Sequence, residues 1–233
     1  MSVTRTLRCC SIGLARGLLV GQRIDSQLQR AVARVERFKL ALPQSCGITN
    51  RLIELILQAL AFVANEYGRP ELSPGREGLR FNLSHADGLA ALAIAREAEL
   101  GVDVEDTARR SRPEDIAEHF FAAAEVAALM RLPAEQRPRR FFDLWTLKEA
   151  YIKARGKGLS IPLGSFAYDL SRGPGAIELA IDPSLGDVRA GWHLTLADPT
   201  PRHRFALAVR FPGGRAPVLR TRWIWPEGPG LLG

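Results

Sequence analysis

Two acidic residues on a short extended segment give the first chemical lead. In Gly101-Val102-Asp103-Val104-Glu105 the carboxylates stand two apart. The period of two in a β-strand turns both to one face, and Val102 and Val104 to the other. Carboxylates held side by side repel unless one is protonated or a cation lies between them, and an all-oxygen pair suits Mg²⁺. Taken alone, the same alternation more often describes a solvated strand face. A second lead is Trp145, Glu149 and Lys153, spaced by four and so sharing one helix face. Glu149 and Lys153 could form a surface ion pair worth about 0.3–0.5 kcal/mol, but Trp145 on the same face argues for the edge of a core. A third carboxylate beside two lysines, Lys148 and Lys153, is what a metal–diphosphate site needs: the glutamate completes the metal shell, and the lysine offsets charge on phosphate oxygens. Lys157, between Gly156 and Gly158, adds a cation where backbone can approach an anion. Ser84 and His85 close an extended segment ahead of Gly88. Adjacency does not make them a nucleophile–base pair, but both could donate hydrogen bonds to phosphate. His119, His193 and His203 have no metal-ligand spacing.

The elements that must position these residues follow from hydropathy and from turn and cap chemistry. Residues 7–15 read as a strand, and Leu28, Val32, Val35 and Phe38 recur at helical spacing over 25–39. Thr49 caps a helix expected to run to about 66, apolar on most faces and therefore central. Strands are expected at 79–84, 89–95 and 100–105, then a helix over 113–130. Pro138 opens a further helix over 138–155, stopped by Gly156 and Gly158. Short strands at 165–170, 176–181, 192–197 and 205–211 precede a Pro/Gly-rich tail. The text repeats faintly: Phe81-Asn82-Leu83-Ser84-His85-Ala86-Asp87 matches Trp192-His193-Leu194-Thr195-Leu196-Ala197-Asp198 in pattern, each followed by a similar strand. Two related α/β halves are expected, joined near 96–112.

Composition bounds the rest. With 233 residues, 46% hydrophobic and 24% charged, the chain is neither disordered, collagen-like nor coiled coil. Its apolar stretches fall far short of the ~20 residues of a membrane-spanning helix, so no membrane partner is expected. The net charge of +7 suits an anionic partner. Residues 1–40 hold eight basic residues against Asp25 and Glu36, but no nucleic-acid-binding signature accompanies them. Cys9, Cys10 and Cys46 form neither a disulfide framework nor a zinc pattern, which fits reduced thiols and a cytoplasmic location. Only four lysines occur, Lys39, Lys148, Lys153 and Lys157, three of them within ten residues.

Taken together, Gly101-Val102-Asp103-Val104-Glu105 and Trp145-Thr146-Leu147-Lys148-Glu149-Ala150-Tyr151-Ile152-Lys153 resemble the signature of the 4′-phosphopantetheinyl transferases. Tyr67-Gly68-Arg69-Pro70, Phe81-Asn82-Leu83-Ser84-His85 and Gly156-Lys157-Gly158-Leu159-Ser160 extend the resemblance to the surfactin-type branch. It implies a monomeric α+β fold: a pseudo-two-fold pair of similar α/β halves, each a small antiparallel sheet packed on helices, with coenzyme A in the cleft between them. The N-terminal half would span 1–100, the C-terminal half 101–211 and a tail 212–233. The implied reaction moves the 4′-phosphopantetheine arm of coenzyme A onto a serine of an apo acyl or peptidyl carrier protein, leaving 3′,5′-ADP. By resemblance Asp103, Glu105 and Glu149 hold Mg²⁺, Glu149 is also the general base, and Lys153 is the catalytic lysine. Arg69, Ser84, His85, Lys153 and Lys157 would contact coenzyme A, and the stretch from Lys153 to about Leu170 the carrier. The family's usual basic cluster between its first two helices is missing, since 40–47 carries no charge. A catalytically impaired relative that binds coenzyme A or a carrier is the alternative. An unrelated Mg²⁺-dependent nuclease or phosphohydrolase would need a water-positioning group and a nucleic-acid surface, neither of which the sequence offers.

Overall fold

The computed structural model describes residues 62–65, 67, 70–72, 78–109, 113–173, 175–214 and 216–221. The strand and helices expected at 7–15, 25–39 and 49–61 lie outside them, as do Arg69 and the end of the tail. In chain order the elements are β1 (Phe62–Ala64), β2 (Pro70–Leu72), β3 (Leu79–Ala86), β4 (Leu89–Arg96), β5 (Glu99–Asp106), α1 (Pro113–Phe120), α2 (Ala123–Met130), α3 (Arg137–Arg155), β6 (Phe166–Asp169), β7 (Glu178–Ile181), β8 (Trp192–Thr200) and β9 (His203–Arg210). Among the described residues every strand pairing is antiparallel, giving an α+β fold: β5-β9-β8 form one sheet, and β1-β2, β3-β4 and β6-β7 form separate pairs.

β5 is the strand that organises the site. One of its edges pairs with β9 along its whole length. On the other side, side chains of β3 take up its backbone: Val102 N–H donates to Asn82 Oδ1 at 2.8 Å and Val104 N–H to Ser84 Oγ at 3.2 Å. Arg202, in the β8–β9 turn, ties the β3–β4 turn to the end of β5 by bonding Asp87 at 2.8 Å and Asp106 at 2.5 Å. The repeated text of the sequence therefore marks the first strands of two hairpins flanking β5. Most of the N-terminal member of the expected pseudo-two-fold falls on residues 1–61, outside those described.

The two faces of β5 meet different partners. Leu100 and Val102 pack with Leu207, Val209 and the alanines of β4, while Gly101, Asp103 and Glu105 face α3. At Gly101 a Cβ would lie 2.0 Å from the Ala150 carbonyl oxygen and 2.3 Å from the Ala154 nitrogen. Strand and helix touch backbone to backbone there, and only glycine fits. Burial of Leu144, Leu147, Ala150, Tyr151 and Ala154 against Phe141, Phe166, Trp192, Ala206 and Ala208 makes α3 the axis of the main core. Pro138 sits in its first turn, and Gly156 ends it at φ +65°, donating to the Ile152 and Lys153 carbonyls.

Two expected boundaries differ. The helix expected to reach 66 gives way to a strand, because Phe62–Ala64 pairs with Pro70–Leu72. The expected helix over 113–130 is two helices. Phe121 turns inward to stack on Phe141, and Ala122 adopts an extended conformation whose N–H is bonded by Glu125 Oε2 at 3.1 Å. That bond caps α2 and breaks the run.

Candidate active site

α3 runs antiparallel to β5, and their repeats match. Two strand residues advance about 6.6 Å and four helix residues about 6 Å. The spacing of the two β5 carboxylates therefore matches one four-residue step of α3, and Lys153, eight residues past Trp145 and level with Gly101, reaches back along the helix to Asp103. Trp145 meets Glu105, its indole Nε1–H donating to Oε1 at 2.9 Å. Farther along, Lys153 Nζ lies 2.6 Å from Asp103 Oδ1. Ser84 joins the pair from β3: its hydroxyl donates to Asp103 Oδ1 at 2.9 Å and accepts from Lys153 at 3.0 Å. Asp103 is 3% exposed, and its second oxygen, Oδ2, is buried without a hydrogen-bond partner.

The electrostatics single out the same carboxylates. Burial, and behind it the Asp103 charge, pushes the Glu105 pKa up to about 7 against the pull of the Trp145 hydrogen bond. Glu149 is raised by the same causes in the same order, partly relieved by Lys153. His85 is lowered by burial and then by the Lys153 ammonium. Lys153 pairs with Asp103, and not with Glu149 four residues before it, so the surface-pair reading of that spacing fails. Three carboxylates thus crowd one ammonium, two of them holding protons more tightly than free glutamate does. A cation would relieve this. Among the described residues no three acidic, histidine or cysteine side chains stand ready-gathered as a metal cage. The orphaned Asp103 oxygen and the all-oxygen donor set nevertheless fit a hard divalent cation.

The remaining predicted residues divide. Ser84 and His85 flank the cluster, although the Ser84 hydroxyl is already engaged with Asp103, Lys153 and Val104. Lys157 is exposed beyond the end of α3, and Arg69 lies outside the described residues. Lys148, grouped with Lys153 and Lys157 by sequence, is no part of the site. Its ammonium is fully buried, 2.7 Å from Glu125 Oε2, and donates to the Leu163 and Phe166 carbonyls at 2.8 and 2.7 Å. Sequence reasoning missed the support at the other end of β5. There buried Asp187 accepts from Tyr151 Oη at 2.6 Å and Trp192 Nε1 at 3.1 Å and pairs with Arg155 and Arg210. No local pattern announces it, because its partners lie up to 36 residues away along the chain. Asn82 was visible only as part of a motif, and its role in holding β3 to β5 was not.

Comparison with known proteins brings this geometry to a family. Residues 99–209, from β5 into β9, match the model of the 4′-phosphopantetheinyl transferase superfamily. The 4′-phosphopantetheinyl transferase AcpT of Salmonella typhimurium is 37% identical over 149 residues, 62% of this chain and 72% of that protein. The chain belongs to the 4′-phosphopantetheinyl transferase superfamily. Within it, the surfactin-type relatives include Sfp of Bacillus subtilis, 34% identical over 57% of this chain and 58% of its own. HetI of Nostoc is 41% identical over 40% of each chain. The chain spans about half the length of the first curated relatives it matches.

Proposed function

We propose that the protein is an Mg²⁺-dependent 4′-phosphopantetheinyl transferase that modifies an apo acyl or peptidyl carrier protein at the expense of coenzyme A, releasing 3′,5′-ADP. The observation that carries this reading is the buried Asp103 carboxylate. It is bonded on one oxygen by Lys153 and Ser84 and bare on the other, with Glu105 and Glu149 crowding it. In a superfamily whose relatives are named for this transfer, that is the charge pattern expected around a metal-bound diphosphate.

Asp103, Glu105 and Glu149 would hold the Mg²⁺, which supplies charge neutralisation for the diphosphate of coenzyme A. The reaction replaces one P–O bond by another. The carrier serine oxygen bonds to the phosphorus that bears the pantetheine arm, and the bond from that phosphorus to the oxygen of 3′,5′-ADP breaks. Glu149, on the same helix face as Lys153, accepts the serine proton, either directly or through one water. Lys153, 28% exposed and so within reach of a ligand, offsets the charge on the departing phosphate. Fixed charge of this kind acts most strongly where water is scarce. Arg69, His85 and Lys157 are assigned to the coenzyme A phosphates, and the stretch after Lys153 through Leu170 to the carrier. The N-terminal half (1–100) takes the coenzyme A side of a two-half monomer, and the half over 101–211 the metal and the carrier. Among the described residues no helix is long and apolar enough to cross a membrane; a cytoplasmic setting, where coenzyme A and carriers meet, is part of the proposal.

The test is direct. Incubated with coenzyme A, Mg²⁺ and apo carriers of fatty-acid, polyketide and peptide-synthetase type, the protein should add one phosphopantetheine to at least one carrier, read as a mass increase. No adduct on any carrier overturns the proposal.

A further inference from the structure

Trp145 is the aromatic residue of α3 whose polar atom points at the acidic cluster. Its ring is held in a stack, 5.8 Å from the Phe141 centroid at 24° and 6.3 Å from Phe121 at 29°. The direction of its one N–H is therefore fixed. That N–H, a donor with no acceptor capacity, is committed to Glu105 Oε1 at 2.9 Å. The other oxygen, Oε2, is left with the Arg109 guanidinium 3.9 Å away and 60% exposed. Asp103 is built to the same plan: Oδ1 is bonded by Lys153 and Ser84, and Oδ2 has no partner. Each strand carboxylate has one oxygen pinned by a protein donor and one on offer.

We infer that Trp145 is a positioning residue that restricts Glu105 to one-oxygen ligation and so sets the preference of the site for Mg²⁺ over Ca²⁺. The inference rests on the cation site proposed above. Mg²⁺ takes single carboxylate oxygens at short, near-octahedral geometry and keeps several waters. Ca²⁺ is larger, gathers six to eight oxygens and readily accepts both oxygens of one carboxylate. A glutamate with one oxygen tied to a rigid indole suits the first ion and handicaps the second. Without the N–H, Glu105 is free to swing and chelate. Partners that orient a metal ligand typically change metal affinity 10–100-fold when removed.

The test is calorimetric titration of the full chain with MgCl₂ and with CaCl₂, in the absence of coenzyme A, for wild type and Trp145→Phe. Phenylalanine keeps the stack and deletes the donor. Mg²⁺ binding should weaken about tenfold while Ca²⁺ binding holds or tightens, so that the Mg²⁺/Ca²⁺ affinity ratio collapses. The thermal unfolding temperature without metal should fall by a few degrees, as expected for one lost hydrogen bond and a smaller ring, with the stack retained. An unchanged ratio, with both ions bound, overturns the role of Trp145 and leaves the cation site standing. Failure of the wild type to bind either ion overturns both. A second measurement needs no variant: the Trp145 indole N–H signal, one of four tryptophan signals in a nitrogen–proton NMR spectrum, should shift on adding Mg²⁺ while staying protected from exchange. An indole signal that ignores Mg²⁺ overturns the inference by itself.

Discussion

Lys148 and Lys153 stand five residues apart on α3 and end in opposite surroundings. Lys148 is sealed in the core with every valence used: its ammonium has Glu125 and two backbone carbonyls. Glu125 in turn takes N–H groups from Tyr168 and Ala122 besides the lysine. The Lys153 pair is similarly short, at 2.6 Å against 2.7 Å, but it is incomplete. The lysine is partly open to solvent, and Asp103 keeps one buried oxygen with nothing on it. Burying a charge without full compensation is costly, and the proposed cation would supply the compensation. The closed pair links α2, α3 and the loop that leads to β6; the open one is where the proposed function puts a cation and a phosphate.

The sharpest way to break the comparison is to remove groups from the open side. Glu149→Gln should slow transfer to carrier about 10²–10⁴-fold, the usual worth of a general base. Lys153→Ala should slow it about 10²–10³-fold, as expected when one charge-stabilising donor is lost. Glu149→Gln should melt close to wild type, whereas Lys153→Ala, which leaves buried Asp103 with Ser84 as its side-chain donor, should also lose stability, so its rate is read at a temperature where both proteins are folded. A rate within about twofold of wild type in either would remove that residue from its role.

On the closed side the sign reverses. Lys148→Met strands the buried Glu125 carboxylate and should cost about 3–5 kcal/mol in denaturant unfolding. The double variant Glu125→Leu with Lys148→Met should recover most of it. A single variant as stable as wild type would show that Glu125 simply takes up a proton, and the contrast between the pairs would weaken.

Gly101→Ala tests the contact that brings the two elements into register. With backbone atoms 2.0 and 2.3 Å from the new methyl, the expected loss is about 3 kcal/mol, at the upper end of overpacking costs. Activity should fall with it, because β5 must move off α3 and carry Asp103 and Glu105 away from Glu149 and Lys153.

The smallest effect is electrostatic. Burial, and then the Asp103 charge, raises the folded pKa of Glu105 from 4.5 to about 7, against the opposing pull of the Trp145 hydrogen bond, Arg109 and Lys153. Between these values the folded state holds more protons than the unfolded, so without Mg²⁺ stability should fall as pH rises from about 4.5 to 7. The fall should be about 1–3 kcal/mol, bounded by 1.36 kcal/mol per pKa unit, and Mg²⁺ should offset most of it above pH 7. Glu105→Gln should flatten the profile, as read by thermal unfolding across that range. A profile equally steep in the variant would assign the proton elsewhere.

How much of this was legible depended on the range of the interaction. The strand alternation of Asp103 and Glu105 and the four-residue spacing of Trp145, Glu149 and Lys153 are local periodicities, and both survive in the structure. So do the helix expected over 138–155 and found at Arg137–Arg155, with its proline start and glycine stop, and the strands from β3 to β9 within a few residues. The three clustered lysines misled because proximity in sequence is not direction in space. At 3.6 residues per turn, Lys148 and Lys153 point about 140° apart, and that phase alone separates them. Which buried carboxylate receives Lys148 was not legible, because Glu125 follows a break in the helix run made by the inward turn of Phe121 and the extended Ala122 that Glu125 itself caps.

The sequence by itself determined the element types from β3 to β9 apart from the break between α1 and α2, the faces on which charged residues lie, and through its ordered motifs the superfamily. These depend on backbone periodicity and on residues close in the chain. Only the tertiary structure decided that Lys153 serves Asp103 rather than Glu149, that Ser84 bridges them, and that an indole pins Glu105. Those choices depend on how closely α3 can approach β5. That distance is set at Gly101, where two backbones meet because no side chain stands between them.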